Sequence, residues 1–162
     1  MADQEGVSKP SARHFYLSPY VLAKKDFGFE FKLSQAIEDL HLGLIESHPV
    51  VTIDRLLDVL DKIETQQPNL TKLIKNIDKV SQIGAAKYGI YSYKKGLKAS
   101  NLMNAIFRHM IKIANGVYLD EESGLSHYYH IYANLLILLY NIQFTKDCND
   151  LYKPSPEERS EK

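Results

Sequence analysis

The sequence contains a single cysteine and no tryptophan, and its formal net charge at pH 7 is zero. Because Cys148 stands alone, the chain can form neither an internal disulfide nor a zinc site built from cysteines. Twenty basic residues offset twenty acidic ones, so bulk charge favours neither DNA binding nor attraction to an anionic membrane. We therefore expect no DNA partner and no membrane partner, and any anion site has to be local.

Long apolar runs are also missing. The apolar stretch around residues 135–140 is too short to span a bilayer. The N-terminus is polar and does not resemble a signal peptide, so we expect a cytoplasmic protein. The 162 residues are enough for one domain with a substantial core.

Apolar residues recur at helical spacing in several segments, and no segment alternates as a strand would. The spacing predicts helices over residues 33–46, 52–64, 70–83, 100–115 and 127–142. Pro49 is expected to end the first, Thr52 to cap the second and Ser100 to cap the fourth. Leu57 and Ile74 are placed on the inner faces of the second and third. The predicted fold class is all-α, a compact bundle of about four to five helices with a buried central C-terminal helix. Residues 15–144 are expected to form this domain, between disordered tails at 1–14 and 145–162.

The last predicted helix is apolar around most of its circumference, which is typical of a buried helix. Four polar side chains share one narrow arc of it: His127, His130, Asn134 and Asn141. Buried polar groups cost about 1–3 kcal/mol each without partners. This arc therefore has to meet other polar groups, a metal or a ligand.

Acidic residues precede that helix, and one more histidine, His109, lies on the helix before. Asp120, Glu121, Glu122, His127 and His130 fall within eleven positions. Oxygen and imidazole ligands of this kind hold divalent cations such as Mg²⁺, Mn²⁺ or Zn²⁺. Two structural explanations stay open: the histidines bond to core neighbours, and the acidic turn stabilises the helix N-terminus with Ser123 or Ser126 as its cap.

A basic aromatic loop over residues 87–98 follows the third helix. Lysines suit phosphate as compact charges, and tyrosines can stack on a base. The loop lacks the known Gly-x-x-x-x-Gly-Lys-Ser/Thr phosphate-binding pattern. By itself it predicts nucleotide binding only weakly.

Two motifs carry a family resemblance. Gly84-Ala-Ala-Lys-Tyr-Gly89, followed by Tyr93-Lys-Lys-Gly96, resembles a Gly-Ala-x-Lys-Tyr-Gly … Asn-Trp-x-x-Gly motif. Arg108-His109, then Asp120-x-Glu-Ser-Gly-Leu-Ser-His127-x-x-His130 and Ala133-Asn-Leu, resembles a second motif of the same family. That family is the N-terminal domain of phage and bacterial dATP/dGTP diphosphohydrolase. The likeness covers residues 83–142, and both the order and the spacing of the motifs match.

The resemblance implies an all-α, often phage-encoded protein of the host cytoplasm that cleaves purine deoxynucleoside triphosphates to monophosphate and pyrophosphate. It implies a divalent cation, Mg²⁺ or Mn²⁺. The implied metal ligands are His109, Asp120, Glu122, His127 and His130, of which Glu122 or His127 would act as general base. The implied nucleotide-binding residues are Lys87, Tyr88, Tyr93, Lys94, Lys95, Arg108 and Asn134.

Some family positions differ in this chain. Asn104 stands where the family has aspartate, Val117 and Tyr118 where it has acidic residues, and Ser92-Tyr93 where it has Asn-Trp. Ligand charge holds the cation in metal-assisted phosphoryl chemistry, so these losses put hydrolysis in question. Two alternatives stay open: a nucleotide-binding protein that does not hydrolyse, and a phage protein that binds a host protein. A homo-oligomer is also left open.

Overall fold

The computed structural model describes residues 29–153, and side chains from residue 32 onward. Five α-helices make up this part of the chain: α1 Phe29–Glu46, α2 Pro49–Thr65, α3 Leu70–Tyr88, α4 Ala99–Ala114 and α5 His127–Phe144. Two short 3₁₀ helices, Ser92–Lys95 and Lys146–Cys148, accompany them. Over these residues there is no strand, only an isolated bridge between Leu119 and Ser126. The predicted all-α class is confirmed.

Helix α5 lies at the centre of the bundle and contacts α2, α3 and α4. Its buried residues include His127, Ile131, Asn134, Leu138 and Asn141. The polar arc therefore points into the protein, as the sequence predicts. The opposite side reaches the surface at Leu136. None of the helices among residues 29–153 is long and apolar enough to cross a membrane.

Helices α1 and α2 pack together across a two-residue connection. Pro49 begins α2 rather than merely ending α1, because proline is compatible with the first turn of a helix, where its missing N–H is not needed. Thr52 lies inside α2, and its hydroxyl donates to the carbonyl of His48 over 2.8 Å. The prediction that Leu57 lies on the inner face of α2 is wrong, since this side chain is half exposed. Val59 is buried on that face instead.

Helix α3 extends five residues beyond its predicted end at residue 83, and only Gly89, with φ of +95°, ends it. Glycine within a helix costs only about 1 kcal/mol relative to alanine, so Gly84 does not stop the helix. Lys87 and Tyr88 consequently belong to the last turn of α3. The prediction for Ile74 is wrong, since this side chain is 58% exposed while Leu73 is buried.

The N-terminus of α4 is capped from a distance. Ser100, the predicted cap, lies in the first turn instead, and its backbone N–H and hydroxyl both donate to the carboxylate of Asp150, over 2.9 Å and 2.5 Å. A carboxylate at the N-terminus of a helix accepts hydrogen bonds from its unpaired N–H groups and interacts favourably with the positive end of the helix dipole.

The segment that carries Asp150 contacts the bundle. Leu151 is buried, and the Asn149 amide donates to the carbonyl of Leu44 over 3.0 Å. Residues 145–153 thus differ from the tail that the sequence predicts from residue 145. The remaining tail residues, 154–162, and the predicted tail at 1–14 lie outside the described residues.

Candidate functional site

Three histidines and one aspartate converge where α4 meets the start of α5. The Nδ1 atoms of His109 and His127 lie 2.8 Å apart. His130, one turn along α5, stacks on His109 with ring centroids 4.7 Å apart. Asp120 Oδ2 lies 3.5 Å from His130 Nε2. We call these four residues the histidine cluster.

The turn before α5 places Asp120 in the histidine cluster. Its Oδ2 accepts the backbone N–H groups of Glu122 and Ser123, over 3.1 Å and 3.0 Å. The turn is fixed to α5 because the backbone N–H of His127 donates to the carbonyl of Tyr118 over 2.9 Å. Ser126 caps α5 by accepting from the N–H of Tyr128, which confirms one of the two predicted caps.

Ser123 is a member of this site that the sequence analysis did not include among the site residues. Its hydroxyl lies 2.7 Å from His130 Nε2 and also accepts the backbone N–H of Leu125 over 3.2 Å. The aspartate lies near the same ring nitrogen of His130, whereas a Ser-His-Asp triad needs the carboxylate at the other nitrogen. Ser123 therefore orients His130 and is not part of such a triad. The sequence feature that could have identified Ser123 as a site residue is its position inside the motif Asp-x-Glu-Ser-Gly.

Burial sets the protonation states of the cluster. It lowers the pKa of His109 from 6.5 to about 3, helped by the neighbouring charges of His130 and His127, and it also lowers the pKa of His127. For Asp120, burial acts to raise the pKa, but the Ser123 N–H and the nearby histidines outweigh it, and the pKa is lowered. At neutral pH two neutral imidazoles face one carboxylate, which are the states that metal ligands require.

The donor atoms fit a metal ion. One ligand atom each from His109, Asp120 and His127 lie within 4.8 Å of one another. Neighbouring ligands at about 2.1 Å from an ion are about 3 Å apart in an octahedron, close to the 2.8 Å between the two Nδ1 atoms. A hydrogen bond between the neutral rings explains the same distance. Under either arrangement at Nδ1, His127 Nε2 is buried and has no hydrogen-bond partner among the described residues.

The other predicted metal ligand, Glu122, lies at the rim. Its carboxylate forms an ion pair with Lys87, which the last turn of α3 brings there, and its side chain is 54% exposed. It is outside the set of close ligand atoms that His109, Asp120 and His127 form. Arg108 is half buried and precedes His109 on α4. Tyr88 is also half buried and follows Lys87 on α3.

The remaining predicted nucleotide-binding residues are three residues of the 93–95 loop, which lie away from the histidine cluster, and Asn134. The ring centroids of Tyr93 and Tyr140 lie 5.4 Å apart. Tyr140 is thirteen residues after His127 on α5 and therefore lies about 20 Å from it along the helix axis. Lys94 lies over the Tyr91 ring on this same loop, and Lys95 follows it. Asn134 is buried and donates to the carbonyl of His130 within α5. The structure thus brings Lys87 to the histidine cluster and does not bring the 93–95 loop there.

A cavity of about 230 Å³ lies near the C-terminal end of α5, bounded by Leu44, Thr52, Ala99, Asn141 and Cys148 among others. None of the described residues that line this cavity is a predicted site residue. The candidate site therefore depends on the side-chain cluster and not on this cavity.

Comparison with known proteins bears on the same region. The family model described as dATP/dGTP diphosphohydrolase, N-terminal, matches residues 60–151, more than half of the chain. The match runs from α2 to Leu151 and includes the whole histidine cluster. Searches among curated proteins and among solved structures gave no match. The chain belongs to the dATP/dGTP diphosphohydrolase N-terminal family.

Proposed function

We propose that this protein cleaves purine deoxynucleoside triphosphates to a monophosphate and pyrophosphate, with a divalent cation at the histidine cluster. The observation that supports this most is the convergence of His109, Asp120 and His127 in a chain of this family. These ligands come from two helices and the turn between them, so the fold alone brings them together.

In the proposed reaction a water molecule attacks the α-phosphorus of the triphosphate. The bond from that phosphorus to the oxygen bridging to the β-phosphorus breaks, and pyrophosphate leaves with that oxygen. The attacking water gives up a proton to a general base. The cation, when bound, supplies charge neutralisation and Lewis acidity for this chemistry.

Glu122 suits the general-base role better than His127 does. His127 is 3% exposed and its Nδ1 lies against His109, so water reaches it poorly. The Glu122 carboxylate is at the rim, where solvent water has access, and its ion-pair partner among the described residues is the partly exposed Lys87. Such exposed ion pairs contribute about 0–1 kcal/mol to stability, so a triphosphate can replace Glu122 as the partner of Lys87 at a small cost in free energy. Lys87 would then neutralise phosphate charge while Glu122 becomes free to accept a proton.

The direct test incubates the full chain with dGTP or dATP and with Mg²⁺, Mn²⁺ or Co²⁺, and measures pyrophosphate and monophosphate. We expect both products, and their loss in Asp120→Asn and Glu122→Gln. Glu121→Gln is the matched control, because Glu121 is an exposed carboxylate of the same turn. Absence of pyrophosphate with every purine triphosphate and cation would reject hydrolysis, as would wild-type turnover in Asp120→Asn.

Nucleotide binding without hydrolysis is the second candidate, and one observation favours it. Asp120 is the one carboxylate of the histidine cluster; Val117 and Tyr118 are exposed apolar and aromatic residues, and Asn104 is a buried amide. A binding protein would be stabilised by RT ln(1 + [L]/Kd) without making product. A rise in melting temperature with dGTP, and no pyrophosphate, would select this alternative.

A further inference from the structure

We propose that the histidine cluster selects a first-row transition-metal ion such as Mn²⁺, Co²⁺ or Zn²⁺ over Mg²⁺. The inference concerns the same site as the proposed function and rests on it. It excludes Mg²⁺, one of the two ions that the family resemblance implies. It depends on the identity of the donor atoms and on which carboxylates the fold keeps out of the cluster.

The donor set contains two nitrogens for one oxygen. His109 and His127 offer imidazole nitrogens, and Asp120 offers a carboxylate oxygen. Mg²⁺ is a hard ion that prefers an octahedron of oxygens and gives up its water reluctantly. Imidazole suits the later, softer ions, whose affinities for such sites rise from Mn²⁺ towards Cu²⁺.

Other carboxylates that would favour Mg²⁺ are held elsewhere. Glu122 is paired with Lys87, and Glu121 is exposed. Glu38 is buried on α1, where the amide of Gln35 donates to it over 3.3 Å. Among the described residues, Asp120 therefore supplies the only carboxylate in the set of close ligand atoms.

Surrounding contacts fix the orientation of the ligands. The backbone N–H groups of Glu122 and Ser123 hold Asp120, and the His130 ring stacks on His109 while bonding to the Ser123 hydroxyl. Such contacts fix ligand orientation and usually matter for affinity by about tenfold or more. We assign His130 as a positioning residue.

His127 Nε2 provides the independent observation that a ligand belongs here. This nitrogen is buried and no described group bonds to it. The residue as a whole is 3% exposed, and its other ring nitrogen, Nδ1, faces His109. If Nε2 is the ligand, the ion satisfies it directly. If Nδ1 is the ligand, the ion replaces the contact between the two rings, and Nε2 keeps no partner among the described residues.

The experiment titrates the metal-free full chain with Co²⁺ alone and follows the visible d–d absorption. We expect saturation at one ion per chain, and Co²⁺ should remain bound in a large excess of Mg²⁺. In parallel, Mn²⁺, Co²⁺ and Zn²⁺ should raise the melting temperature clearly more than equal Mg²⁺. An equal shift with Mg²⁺, or displacement of Co²⁺ by modest Mg²⁺, would overturn the inference.

Variants identify the ligands. Asp120→Asn and His127→Gln should each weaken Co²⁺ binding at least about tenfold, the effect typical of losing a single strong contact. Glu122→Gln should leave Co²⁺ affinity unchanged, and so should His48→Gln, which removes an exposed histidine. Binding unaffected by both Asp120→Asn and His127→Gln would place the ion elsewhere and refute the assignment.

If His127→Gln does not fold, pulsed EPR of the Mn²⁺-loaded wild-type protein decides. Coupling to imidazole nitrogen is expected, and its absence contradicts the assignment. The outcomes also separate this inference from the proposed function. If Co²⁺ binds at the histidine cluster but no nucleotide is cleaved, only the proposed function is refuted. If Mg²⁺ supports cleavage and no Co²⁺ site exists, only the metal-selectivity inference is refuted.

Discussion

Two buried histidines, His41 and His109, should make the stability of this fold fall as the pH falls. Burial lowers the pKa of His41 from 6.5 to about 4 and, with help from neighbouring histidines, that of His109 from 6.5 to about 3. In the unfolded chain each ring takes up a proton near its ordinary pKa, while the folded protein resists until much lower pH. The stability is therefore full above about pH 6.5 and is lost as the pH falls towards the folded values.

The size of the effect follows from these two shifts. Between pH 7 and pH 5 each ring should cost about 2 kcal/mol of unfolding free energy, and the two together about 4 kcal/mol. Asp120 adds nothing in this range, because its lowered pKa affects stability only below its ordinary value of 3.8. His127, whose pKa burial also lowers, adds to the loss in the same window, so about 4 kcal/mol is the part that His41 and His109 contribute.

Urea denaturation followed by circular dichroism, with a chelator present, measures this at pH 7, 6 and 5. His41→Gln removes one titrating ring and should reduce the pH-dependent loss by about 2 kcal/mol. His48→Gln, which removes an exposed histidine, should keep the wild-type dependence. If wild type and His41→Gln lose stability in parallel, His41 is not the buried neutral ring that the structure indicates, and the reasoning fails.

Three further variants test other contacts. Lys87→Ala should change the unfolding free energy by less than about 1 kcal/mol, yet lower pyrophosphate release about tenfold or more because a phosphate contact is lost; Lys79→Ala, an exposed lysine of the same helix, should do neither. Asp150→Ala should cost about 1 kcal/mol in urea denaturation, because α4 loses its cap. Gly96→Ala should cost more than about 1 kcal/mol, since φ is +89° and the new Cβ would lie 2.5 Å from Cys148 Sγ; combining it with Cys148→Ala should recover only part, because the backbone strain remains. A fully restored double variant would show that the clash alone matters.

Local periodicity predicted much of the bundle correctly. Apolar spacing fixes which face of a helix is buried, so the inward polar arc of α5 followed from the chain alone. The spacing of His127 and His130 places both on one helical face, and the structure finds both beside Asp120 and His109. The family resemblance was also visible in the motifs and is confirmed over a wider range, residues 60–151.

Errors arose where periodicity is ambiguous or where the partner is distant in sequence. Leu57 and Val59 are both plausible inner residues of α2, and only packing against α1 and α5 selects Val59. Ser100 looked like a helix cap, but the group that caps α4 is Asp150, fifty residues later. No local pattern contains that information, since a hydrogen bond across the fold depends on where the chain returns.

The sequence by itself determined the helical class, the inward direction of the two histidines on α5, and the acidic turn that precedes them. Only the tertiary structure decided that Lys87 lies beside the histidine cluster and that the lysines of the 93–95 loop do not. Because α3 continues through Gly84, Lys87 reaches Glu122, while the loop with Tyr93 packs about 20 Å away along α5. The physical reason is that side-chain spacing sets the face of a helix, whereas the helix ends that meet are set by lengths, connections and packing against other segments.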